Sequence, residues 1–87
     1  MGSSKALKVK LPGVRKINIV GDFIRLDALL KFSSIVSTGG EAKVLIQSGD
    51  VYVGGLRCVQ RGKKIMPGDI VRYGGDTLLI GRTKGDT

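Results

Sequence analysis

Regular patterning begins at Lys16-Ile17-Asn18-Ile19, where polar and apolar residues alternate and predict a first strand, followed by a turn at Gly21-Asp22. From Phe23 to Phe32 the rhythm changes. Leu26, Leu29 and Leu30 stand at i, i+3, i+4, which predicts a short first helix with Asp27 in its first turn, where the helix dipole favours a carboxylate. Ser33-Ser34-Ile35-Val36 leads to a second helix, with Ile35 or Val36 plugging the angle between the two. That second helix starts within Ser37-Thr38-Gly39-Gly40-Glu41-Ala42-Lys43. Thr38 and Glu41 form a capping box, the Thr38 hydroxyl accepting the Glu41 N–H and the Glu41 carboxylate reaching back to Thr38. Ala42, Leu45 and Ile46 make its buried stripe, Gly40, Lys43 and Gln47 lie on an exposed one, and Gly49 suits a left-handed C-cap.

The remainder alternates like strands. Val51-Tyr52-Val53 meets Gly54-Gly55, a pair that tolerates the positive φ of a tight hairpin, and Leu56 to Val59 is the expected return strand. If Val51 and Val53 face inward, Tyr52 faces out, where it covers the sheet or stacks on an unpaired base. Gln60-Arg61-Gly62-Lys63-Lys64 is a basic loop, and Pro67-Gly68-Asp69 is a turn. Ile70–Tyr73 and Thr77–Ile80 then predict a second hairpin about Gly74-Gly75-Asp76. No internal repeat indicates a second domain.

Charge sharpens this picture. Fifteen Lys and Arg against seven Asp and Glu give a net charge of +8, which favours a polyanionic partner, nucleic acid before an acidic membrane surface. A chain of 87 residues buries only about 60–65 % of its unfolded surface, so a small core is expected. No apolar run approaches the ~18 residues of a membrane span. Lys5, Lys8, Lys10, Arg15 and Lys16 make residues 1–16 a basic arm, interrupted by Pro12-Gly13, that either tracks phosphates or keeps the protein soluble. Its first four residues have the composition of a vector-derived leader, it lacks both a signal-peptide core and an apolar face for lipid, and residues 82–87 form a tail.

The chemistry available is narrow. With no histidine and a single cysteine, Cys58, neither zinc binding nor an internal disulfide is expected, and without a histidine base Cys58 is read as a strand filler. The start of the second helix has another possibility. Gly39 and Gly40 leave its first N–H groups open to an anion and Lys43 adds a full charge one turn on; a plain capped loop with Lys43 as a solvated charge accounts for the same residues equally well.

In order, Ile24-Arg25-Leu26-Asp27-Ala28-Leu29-Leu30, Ser37 to Lys43, Gly49 to Val53, Arg61-Gly62-Lys63-Lys64 and Pro67-Gly68-Asp69 resemble the S4 RNA-binding domain, over residues 17–81. The resemblance is greatest to its small free-standing varieties. It implies an α+β fold, two short helices of the αL motif packed on a small, bent antiparallel sheet. It also implies an RNA surface made of Ser37, Thr38, Gly39, Gly40 and Lys43 at the second helix together with Arg61, Lys63 and Lys64 in the loop, flanked by Arg57 and extended by Lys31. Two residues depart from the family pattern: Gly54-Gly55 replaces a usual Asn-Gly turn, and Gln60 replaces a common arginine.

The function so implied is a non-catalytic module that binds structured RNA, ribosomal or transfer RNA, through phosphates, as a monomer in association with a ribosomal subunit. No cofactor, metal or membrane is implied, and the expected location is the cytoplasm, or the plastid stroma in a photosynthetic eukaryote. The competing readings are a ribosome-associated adaptor that binds protein and a detached RNA-guiding domain of an RNA-modifying enzyme.

Overall fold

The computed structural model describes residues 13–83. The lysines of the basic arm at Lys5, Lys8 and Lys10, and the last part of the tail, lie outside them. The elements in chain order are β1 (Val14–Ile19), β2 (Ile24–Arg25), α1 (Leu26–Phe32), α2 (Gly39–Gln47), β3 (Val51–Val53), β4 (Leu56–Arg57), β5 (Lys64–Ile65), β6 (Ile70–Tyr73) and β7 (Asp76–Arg82).

The class is α+β, and the sheet differs from a purely antiparallel one. Its five strands run β1-β7-β6-β3-β4; the β7, β6, β3 and β4 neighbours are antiparallel, whereas β1 joins β7 in parallel, from Val14 opposite Thr77 to Ile19 opposite Arg82. Parallel pairing requires a long crossover, and both helices and five strands lie between β1 and β7 to provide it. The ladder also moves the expected ends. β1 begins at Val14, two residues before the predicted start at Lys16, so Arg15, read as part of the arm, belongs to a strand, and β7 continues through Arg82, the first residue assigned to the tail.

A second correction concerns the first helix. It starts at Leu26, because Ile24 and Arg25 pair with Ile65 and Lys64 in a separate two-stranded antiparallel ladder. No side chain caps α1. Instead the Leu26 N–H donates to the Lys63 carbonyl (2.8 Å), the Asp27 N–H to the Arg61 carbonyl (3.1 Å), and the Ala28 N–H to Asp27 Oδ1 (2.8 Å). Three donors that a helix start leaves without intrahelical partners are satisfied in this way, two of them by the basic loop.

Burial follows the predicted stripes. Leu26, Leu29 and Leu30 of α1, Ala42 and Ile46 of α2, and Ile19, Val51, Ile65, Val71, Leu78 and Ile80 form one core; Leu45, Ile35 and Val36 pack half-buried against it. Each fully buried leucine contributes about 1.5–3 kcal/mol relative to exposure. The Gly54-Gly55 turn has positive φ at both residues, +60° and +86°, so the doubled glycine fits where Asn-Gly is usual. Beyond it β4 ends at Arg57: the Cys58 N–H donates to the Val51 carbonyl (2.9 Å), so the return strand is shorter than Leu56 to Val59 and Cys58 lies past its end, half-buried.

Candidate nucleic-acid interface

The start of α2 is fixed by its own side chains. Thr38 is the N-cap, in extended backbone, and its Oγ1 accepts the Glu41 N–H at 3.1 Å. The reciprocal bond differs from the expected one by a single residue: Glu41 Oε1 accepts the N–H of Ser37 (2.7 Å), not of Thr38. Neither bond uses the N–H groups of Gly39 and Gly40, which sit too early in the helix to find a carbonyl four residues back. The fold does not demand glycine at either position. A Cβ on Gly40 would meet nothing nearer than Thr38 Oγ1 at 3.8 Å, and one on Gly39 nothing nearer than Arg61 Nη2 at 3.8 Å. Lys43 is exposed one turn on, beside Gly40 and Gln47.

Arg61 reaches toward Gly39 and so brings the basic loop beside the start of the helix. Arg61 donates from Nε to Asp27 Oδ2 at 3.2 Å, and Arg25 Nη2 approaches the same oxygen at 3.3 Å. Asp27 is therefore a nearly buried carboxylate shared by two guanidinium groups. Burial alone pushes its carboxyl up, but the Arg61 hydrogen bond, the Ala28 N–H and the charges of Arg25 and Arg61 together hold it below the ordinary aspartate value. Lys31, Arg25, Arg61, Asp27 and Gly39 line one open cleft, three cations around one carboxylate at the positive end of α2.

Of the residues expected from sequence, Gly39, Arg61 and Lys31 converge here, with Ser37, Thr38, Gly40 and Lys43 on the same end or exposed stripe of α2. Lys63 and Lys64 are held differently. Lys63 gives its carbonyl to α1 while its side chain lines a neighbouring depression with Arg57, Cys58 and Gln60, and Lys64 Nζ lies 4.8 Å from the centroid of the Phe23 ring. Arg57 is at the other end of α2. Its side chain lies 3.4 Å from where a Cβ on Gly49 would be, and its Nη2 donates to the Tyr52 hydroxyl at 3.0 Å, a bond that holds the guanidinium even further into its charged form.

Arg25 belongs to the cleft and was not among the expected residues. The signal was present in Arg25-Leu26-Asp27, an arginine two positions before an aspartate at a helix start, but the pairing of β2 with β5 that turns it onto the loop is not written locally. Among the described residues no cluster of three or more His, Cys, Asp or Glu could hold a metal ion, and no helix is long and apolar enough to cross a membrane.

No curated protein matches the chain. S4 domains are in general non-catalytic RNA-binding modules, and the family model described as S4 domain matches residues 17–81. A match over most of the 87 residues, on the two helices and the basic loop whose geometry has just been given, places this chain in the S4 domain family.

Proposed function

We propose that this protein binds structured RNA, of the ribosomal or transfer class, by gripping phosphates between the start of α2 and the loop of Arg61. The observation that carries this reading is the approach of Arg61 to Gly39 while Asp27 fixes the guanidinium from behind. A phosphate in the cleft meets the N–H groups of Gly39 and Gly40, the helix dipole, and cations already held in place. Lys43 and Lys31 extend the grip along the backbone. Shape, 2′-hydroxyls and phosphates dominate recognition of helical RNA, so discrimination between base sequences on this face is slight.

The test is binding of a structured RNA across a salt series. Four phosphate contacts give a log–log slope of about −3 to −4, and Lys43→Glu with Arg61→Glu removes binding from a protein that still folds. A flat salt response, or unchanged affinity in the double variant, would sink the reading.

A further inference from the structure

The sheet has a second face that the cleft does not use. Val51 and Val71 are buried, so alternation turns Tyr52 and Arg72 to the opposite side. These two are direct cross-strand partners, and Tyr52 is also the partner of Arg57. The next row on that side joins Ile70 of β6, Leu79 of β7 and Lys16 of β1, again as direct partners. Ile70 and Leu79 remain 44 % and 39 % exposed, large apolar side chains left open to solvent on this row.

Its chemistry is that of a stacking platform. Arg57 sits 5.6 Å from the Tyr52 ring centroid, Arg72 borders the ring on the other strand, and Lys16 lies across Gly81 at the far edge. An open cleft of about 630 Å³ adjoins Tyr52 and Arg72, with Asp50 and Asp76 at its end. That volume falls within the roughly 300–1,000 Å³ of small-ligand clefts. The charges sort a nucleotide: the two carboxylates repel a phosphate but accept N–H donors of a base, while the three cations attract the backbone. An aromatic ring among cations, beside exposed aliphatic side chains, suits splayed bases better than a duplex, whose bases present no free face.

We propose that this uncovered sheet face takes an unpaired stretch of RNA, one base stacked on Tyr52 and the flanking phosphates on Arg57, Arg72 and Lys16. The inference rests on the preceding reading only for the class of partner, and it uses a different surface.

The experiment compares a ten-nucleotide oligoadenylate with a twelve-base-pair RNA duplex by fluorescence anisotropy. Tyr52→Ala weakens the oligoadenylate about tenfold and leaves the duplex within twofold, whereas Lys43→Glu with Arg61→Glu does the reverse. Tyr52→Phe keeps oligoadenylate binding, because the ring and not the hydroxyl stacks. Should Tyr52→Ala fail to fold, Arg72→Glu gives the same selective loss. One-for-one displacement of the oligoadenylate by the duplex overturns the proposal, as does oligoadenylate affinity that stays within twofold in both Tyr52→Ala and Arg72→Glu. If the duplex fails to bind and the Tyr52-dependent oligoadenylate complex persists, the cleft reading falls and this one stands.

Discussion

Each end of α2 carries an arginine, and the two are held in opposite ways. At the N-terminal end Arg61 is tied twice to α1, through its carbonyl to the Asp27 N–H and through Nε to the Asp27 carboxylate, and it faces the positive end of the α2 dipole. At the C-terminal end Arg57 projects from a two-residue strand, leans over Gly49 and bonds a half-exposed phenol. There the dipole is negative, so the cation is partly answered by the helix itself. Two arginines equal in charge are thus unequal as anion sites. What fixes a cation, and which way the neighbouring dipoles point, matter more than the count of basic residues.

The sharpest way to break this comparison is to reverse each charge. Arg61→Glu is expected to weaken duplex RNA about 30-fold, and Arg57→Glu less than threefold, by titration at fixed salt. Equal losses would mean that both ends act as one diffuse basic surface.

Next in size is the brace behind Arg61. Asp27→Asn removes a nearly buried charged acceptor and costs about 1.5–3 kcal/mol in denaturant unfolding. The folded carboxyl lies below its unfolded value, so its stabilisation is present above the unfolded pKa of 3.8 and is lost as pH falls through the lower folded value. The wild type should lose stability over that acidic window, and Asp27→Asn should lack this component of the loss.

Thr38→Ala, which removes the cap, should cost about 1 kcal/mol by the same unfolding measurement. The smallest effect belongs to the other end of α2: Tyr52→Phe, which releases Arg57 from an exposed hydrogen bond, should change stability by less than about 0.5 kcal/mol. A larger cost would show that Arg57 is braced after all.

The difference between the two ends was only half legible in the sequence. The start of α2 could be read because its signals are local: a capping box spans four residues, and Ala42, Leu45 and Ile46 repeat at helical spacing. The boundaries of α1 and β1 could not, because they depend on remote partners. Ile24 has the same apolar character in a helix or a strand, and only Ile65, far along the chain, decides for a strand. The parallel match of β1 to β7 is likewise non-local, and it explains why Arg15 read as an arm residue when the strand extends back to Val14. Arg57 was expected to flank the basic loop from the hairpin; it does line a depression with Gln60 and Lys63 of that loop, but its lean over Gly49, at the C-terminal end of α2, depends on how the Gly54-Gly55 turn folds β4 back along β3.

The β1–β7 pair also has a mechanical consequence. Because the two strands are parallel, tension entering at Val14 and leaving at Arg82 pulls them in opposite directions along their length. Their interstrand bonds are then loaded together in shear instead of opening one after another from an end. The six-residue register acts as a clasp against stretching, joining the first strand of the described residues to the last.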